Sequence, residues 1–247
     1  MQELVKCLKN FKTQNLVGIK QSFEDEGVLL EDVLIIRQLT KLNQLKLTVK
    51  IGGCEAKSDI YNCVNMDVNG IVAPMIETEF ALQKFIESIS DSNKCKLYIN
   101  IESETGYKNI DKILKSPSAK MLSGIVIGRS DLVKSLGYDK SNVNSNFVYN
   151  MAEEIFKKAK SFGLETLMGG NISTKSIDFI TKLTNLKILD YVETRNVIIL
   201  LKDISDLNES IKSAIEFESI WLDYKATKYG LLYREYMDRS DLLKERL

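Results

Sequence analysis

The sequence predicts an α/β chain, and within that class a (β/α)8 barrel of the TIM type whose closure is either regular or atypical. Three observations lead there. Short β-branched runs alternate with longer segments of helical period from one end to the other, which is how repeated βα units around a parallel sheet read. The 247 residues suit one large domain, because a single barrel fills that length. No proline-rich, serine-rich or low-complexity linker interrupts the alternation.

The opening residues, MQELVKCLKNFKTQN, alternate apolar and charged positions as an amphipathic helix does. Strands are then expected at Leu16 to Gln21, Leu45 to Ile51, Gly70 to Met75, Lys96 to Glu102, Ser123 to Gly128 and Leu164 to Met168. A further run lies inside Ile188 to Leu200, where Ile188 to Tyr191 and Asn196 to Leu200 are either one strand or two short ones. Seven strands are therefore plain and the eighth is not. Between them, Leu30 to Leu42, Ala56 to Met66, Glu79 to Ile89, Tyr107 to Leu114, Val148 to Phe162 and Thr174 to Leu183 each carry helical periodicity. The expected division is a barrel with its N-terminal helix over 1–206 and a helical extension over 207–247. The extension presents Ile211, Ile215, Ile220, Trp221, Tyr224, Leu231, Leu232, Leu242 and Leu243, and it packs either on its own barrel or across to a partner subunit of a homo-oligomer. Met75, Met121 and Met168 read as core.

Composition excludes more chemistry than it proposes. The chain has no histidine, so there is no Ser-His-Asp or Cys-His nucleophile pair, no His general base and no His metal ligand. Lys and Arg number 34, as do Asp and Glu, which leaves no basic excess to attract nucleic acid. No stretch reaches the roughly 18 uncharged apolar residues of a membrane span, and the first residues lack a signal peptide's apolar core. The reading is a cytoplasmic protein with neither nucleic acid nor membrane as partner. Cys7, Cys54, Cys63 and Cys95 are scattered singly and read as reduced thiols; Cys54, in a glycine-rich turn, is either a reactive thiol or an inert one.

Barrel chemistry sits at the carboxyl ends of the strands. Those ends carry Lys20 with Glu24, Asp25 and Glu26, then Lys50 with Glu55, then Glu77, Asn100, Glu102, Arg129, Asp131, the Gly169-Gly170-Asn171 turn, and Glu193-Thr194-Arg195. Tyr98, Asn100 and Glu102 share one face of their strand. Glu102 and Asp131, ending adjacent strands, offer two oxygen ligands to a hard divalent cation, or else they cap the helices that follow. Three consecutive acids at Glu24 to Glu26 repel one another, which suits a general base or a solvated loop. Lys20 is either an ion-pair partner or a Schiff-base amine. The glycines of MGGNIS lead into a helix and expose N–H groups to an anion, or simply make a tight turn.

The segments IVAPMIETEFALQKFIESI, LYINIESETGYKNIDKIL and LSGIVIGRSDLVKSLG, in that order, resemble the HpcH/HpaI aldolase and citrate lyase beta-subunit family over about residues 16–173. Glu102 and Asn109 match its IET-type motif; Asp131, Leu132, Leu136 and Gly137 match its GPxDL-type motif. The resemblance implies Mg²⁺ or Mn²⁺ held by Glu102 and Asp131, chelating a 2-oxo acid or its enolate in aldol or Claisen chemistry. It also shows departures. The family's Asp-Gly-Glu-His stretch appears as KQSFEDEG without the imidazole, its strand-end Arg is replaced by Lys50, and its GPxD proline is replaced by Arg129.

The expectation is a metal-dependent carbon–carbon lyase acting on a small 2-oxo acid. Glu24, Glu26 or Lys20 moves protons, and Lys50, Arg195, Arg129, Gly169 and Gly170 hold substrate anions. The alternatives are a metal-independent Schiff-base aldolase using Lys20 or Lys50, and a barrel without catalysis serving as a binding or assembly subunit.

Overall fold

The computed structural model describes residues 1–23, 28–89 and 95–244, apart from the side chain of residue 242. Eight strands close into one barrel in sequence order: β1 (Leu16–Ser22), β2 (Lys46–Lys50), β3 (Gly70–Ala73), β4 (Lys96–Ile101), β5 (Gly124–Gly128), β6 (Glu165–Gly169), β7 (Tyr191–Glu193) and β8 (Val197–Leu200). The helices on the described residues are α1 (Gln2–Leu8), α2 (Leu30–Leu42), α3 (Lys57–Asn65), α4 (Glu79–Glu87), α5 (Glu104–Lys108), α6 (Ile110–Lys115), α7 (Arg129–Ser135), α8 (Asn146–Ser161), α9 (Ile177–Asn185) and α10 (Leu207–Lys244).

Strands β1 to β7 run parallel, as the alternation requires, but β8 is antiparallel to both β7 and β1. This is the unresolved closure of the sequence reading. Strands β7 and β8 form a hairpin across Thr194-Arg195-Asn196, where the Thr194 N–H donates to the Val197 carbonyl at 2.9 Å. Three residues cannot hold a crossover helix, so the second strand has to turn back.

Alternation within the strands sorts the core into two layers. The larger lies between barrel and helices and includes Ile19, Val49, Ile71, Ile99, Ile125 and Val192, all buried. A smaller cluster inside the barrel consists of Val72, Tyr98, Val126 and Leu167, with Tyr191 against it. Below that cluster Glu165 accepts from Tyr98 Oη at 2.7 Å and from Lys96, which closes the lower end. Met168 is buried in the core. Met75, on a loop, and Met121, at the end of a 3-10 helix, were also expected there and are 47% and 44% exposed.

Because β8 points down, α10 starts at the lower end and climbs the outside of its own barrel. Ser210 Oγ donates to the Gln14 carbonyl at 2.7 Å, Phe217 packs edge-on against Phe11, and Trp221 is fully buried. Higher up, the buried Asp32 at the start of α2 accepts from Tyr229 Oη at 2.7 Å and Lys228 Nζ at 3.4 Å. A 38-residue helix spans about 57 Å. Its end beyond this clamp is exposed, with Leu231, Tyr233 and Tyr236 facing solvent. No helix among the described residues is long and apolar enough to cross a membrane.

The clamp has a measurable weight. Tyr229→Phe leaves buried Asp32 short of one donor, a loss of about 1–3 kcal/mol. Amide hydrogen exchange around Tyr229 is expected to accelerate while exchange in the barrel strands stays unchanged; equal acceleration in both would show that α10 is not held separately.

Candidate functional site

A cavity of about 460 Å³ opens at the carboxyl ends of the parallel strands. Its wall includes Lys20 and Ser22 from β1, Lys50 from β2, Asn100 and Glu102 from the end of β4, Ser130 and Asp131 from α7, and Gly170-Asn171 after β6. Glu193 with Thr194 and Arg195 comes from the hairpin, Lys140 from the loop after α7, and Glu218 from α10.

Glu102 is placed by its strand and by the turn after it. Tyr98, Asn100 and Glu102 project along one face into the barrel, and Ser103 then caps α5 by accepting from the Gly106 N–H at 3.1 Å. The carboxylate is 3% exposed. Burial pushes its pKa up; Lys50 Nζ at 3.4 Å, the Met75 N–H at 3.0 Å and Asn100 Nδ2 at 2.8 Å act the other way. Asn109 explains its place in the motif: Nδ2 donates to the Glu77 carbonyl at 2.9 Å, anchoring the loop whose Met75 N–H reaches Glu102. Asp131, exposed in the first turn of α7, is near enough to add to the upward push on Glu102.

On the other side of the cavity Glu193 is equally buried, and Lys20 donates to its Oε1. Two glycines make room for these acids. A methyl group at Gly128 would lie 2.6 Å from Glu102 Oε2, and one at Gly169 would lie 2.9 Å from Glu193 Oε1. Gly128 and Gly169 are partners across β5 and β6. Each carboxylate therefore leans over the glycine of the neighbouring strand, towards the same seam.

Several expected roles change. Arg129 does not face the cavity: it is fully buried. Its guanidinium donates to the carbonyls of Gly169 (3.1 Å), Gly170 (2.9 Å) and Val143 (3.3 Å) and to Asn144 Oδ1 (2.7 Å), and it lies 5.0 Å from the Phe179 ring centre. Burial pushes its pKa down. Where the motif's proline is lost, the arginine ties the β5 and β6 loops together rather than binding substrate. Gly169 serves as space for Glu193, while Gly170, at φ +84°, lines the cavity and could not carry a side chain, since a methyl would meet the Arg129 and Ser130 nitrogens at 2.5 Å. Lys20 and Lys50 reach the cavity but are ion-paired with acids. Arg195 lines it from the exposed hairpin tip. Glu24 and Glu26 lie outside the described residues.

Sequence reasoning passed over Lys140 and Glu218, and it named Glu193 at its strand end without giving it a role. The strand-end rule picks out Glu193 as it does Glu102, but its pairing with Lys20 is visible only in the fold. Glu218 arrives on a helix from the far end of the chain and leaves no local signal.

A polar cavity at the carboxyl ends of the strands, with buried and rim carboxylates, lies where α/β barrels carry their functional sites. The chain belongs to the HpcH/HpaI aldolase/citrate lyase family, whose profile matches residues 35–171. Among solved structures it is similar to citrate synthase SbnG, with a TM-score of 0.64 and 14% identity over 77% of this chain and 81% of that one. The HpcH/HpaI aldolase from Desulfitobacterium hafniense DCB-2 gives a TM-score of 0.63 and 11% identity over the same shares, 77% and 81%. The citrate lyase beta subunit complexed with oxaloacetate and magnesium from M. tuberculosis gives 0.56 and 12% identity over 86% and 92%. These likenesses show the shared fold. No curated protein matches in sequence.

Arg129→Met strands several buried carbonyls at a cost on the order of 3 kcal/mol, which should lower the melting temperature by about 6–12 °C. Calorimetry checks this; an unchanged melting temperature would remove the structural role.

Proposed function

We propose that this protein is a divalent-metal-dependent carbon–carbon lyase, or the reverse condensing enzyme, acting on a small 2-oxo acid. The observation that carries the reading is that Glu102 and Asp131, from the ends of neighbouring βα units, both line one polar cavity. Family membership and the oxaloacetate and magnesium of the M. tuberculosis citrate lyase beta subunit agree with it.

The donor set fits a hard ion. Both candidate ligands are carboxylates, and Asn100 Oδ1 beside them is a buried acceptor with no donor, the kind of oxygen a cation or its water satisfies. No group of three or more Asp, Glu, Cys or His capable of holding an ion occurs among the described residues. Among the described residues the proposed seat has two protein ligands, and water and substrate oxygens at its other positions would suit Mg²⁺ or Mn²⁺. When bound, such an ion polarises a carbonyl and stabilises charge developing on its oxygen.

The chain's own residues do the rest. Lys50, beside Glu102, offers an ammonium to a substrate carboxylate or carbonyl oxygen, as a point charge rather than a guanidinium fork. Arg195 and Lys140 at the rim attract the second anionic group of a longer oxo-acid. The ion pairs of Lys20 and Lys50 favour this reading over Schiff-base chemistry, which needs a free amine.

Isothermal titration with Mn²⁺ and then oxalate tests the site. Glu102→Gln and Asp131→Asn should each weaken Mn²⁺ binding at least about tenfold, the loss of about 1.4 kcal/mol or more. Lys50→Met should weaken oxalate but not Mn²⁺, because it removes a cation beside the seat. Wild-type Mn²⁺ affinity in both carboxylate variants would overturn the proposal.

A further inference from the structure

We infer that Glu193 is the carboxylate that moves the proton in this cavity, with Lys20 as its positioning residue; the inference rests on the oxo-acid reading above. The chain has no imidazole, so the proton must travel on another group. Of the two buried carboxylates that the described residues place on the cavity wall, Glu102 has both oxygens engaged: Oε1 by the Met75 N–H, and Oε2 by Asn100 and Lys50. Glu193 has one. Lys20 holds Oε1, while Oε2 is buried and has no donor, although the residue is only 3% exposed. A buried acceptor left unmatched at a cavity wall calls for an explanation, and an incoming proton supplies one.

Placement supports the role. Glu193 and Glu102 lean over Gly169 and Gly128, which are register partners on β6 and β5. Methyl positions on neighbouring strands lie about 5 Å apart, so the two carboxylates are within about 10 Å of each other, one small oxo-acid apart. A molecule gripped at the Lys50 and Glu102 side turns its other end towards Glu193. Gly169 is needed for this, because any side chain there would collide with the Glu193 carboxylate.

The step balances without a further reagent. In the direction of enolisation a C–H bond next to the carbonyl breaks and an O–H bond forms on Glu193. The C–H electron pair becomes the carbon–carbon double bond of the enolate, and the carbonyl π pair moves to its oxygen, on the Lys50 side. In the cleavage direction the same oxygen returns the proton to carbon. Lys20 acts through Glu193, fixing one oxygen while the other has no donor.

The test is exchange of pyruvate methyl protons in D2O with Mg²⁺, followed by NMR, alongside oxalate titration and melting temperature. Wild type is expected to bind oxalate and exchange the methyl protons. Glu193→Gln is expected to keep oxalate binding within a few-fold and to slow exchange by a factor on the order of 10²–10⁴. Should Glu193→Gln not fold, Glu193→Asp keeps the charge pair with Lys20 and should slow exchange while retaining oxalate. Exchange at the wild-type rate in a folded variant overturns the inference and returns the proton to Glu24 or Glu26, leaving the oxo-acid reading intact. Oxalate binding without exchange in wild type also overturns it. Failure of wild type to bind oxalate sinks the oxo-acid reading itself.

Discussion

The site depends on keeping Glu102 as a usable carboxylate in a place where burial opposes its charge. Desolvation is the largest influence on the group and pushes its pKa up. The opposing contacts come from three elements: the Lys50 ammonium on β2, the Met75 N–H after β3, and Asn100 two residues back on β4. Met75 takes a positive φ of 51° to present that N–H, a conformation disfavoured for a side chain of its shape. Asn109 holds the loop in place from the following helix pair. A residue that looks like a motif ornament in sequence is thus part of the support for one carboxylate, just as outer partners orient metal ligands in general.

Reversal of β8 is the second constraint, and it decides what the end of the chain can do. A regular eighth βα unit would leave its helix at the upper rim, starting where the cavity is. Here the hairpin sends the chain down, and α10 must climb from the bottom. The long helix then passes the cavity mid-way, where Glu218 accepts from the Asn196 N–H at 2.7 Å and joins the cavity wall. One local choice, a three-residue turn in place of a crossover, converts a terminal helix into a wall of the site.

Much of this was legible in the chain, for identifiable reasons. The strands that β-branched runs announced, such as GIVIG and LYINI, are buried on both sides, so they carry a continuous apolar signal. The seam of Tyr98, Asn100 and Glu102 follows from a two-residue period alone. What was not legible is what depends on partners distant in sequence. Arg129 reads as an anion binder at a strand end, yet the loops around Val143 and Gly170 offer it enough carbonyls to draw it inside. Lys20 reads as either an ion-pair partner or a Schiff-base amine and Lys50 as an anion binder, because nothing local reveals Glu193 and Glu102 as their mates. The stretch that forms β7 and β8 was open to two readings, one strand or two, since runs of three and four residues are too short for a two-residue period to separate them.

Charge balance in the cavity explains why an ion is the natural completion of the proposed site. Its described lining holds four cations, Lys20, Lys50, Lys140 and Arg195, and four carboxylates, Glu102, Asp131, Glu193 and Glu218. Two of the cations, Lys20 and Lys50, are already matched by buried acids. Such a lining has no net attraction for an anion, and a lysine-for-arginine exchange at position 50 weakens the grip further, because an ammonium lacks the bidentate geometry that carboxylates prefer. A divalent cation seated on the Glu102 side would tip the whole lining positive and give an oxo-acid something to chelate. The same arithmetic separates the two buried acids: the one beside the ion would be committed to holding it, and the one across the seam, with an oxygen still unengaged, would be left to handle protons.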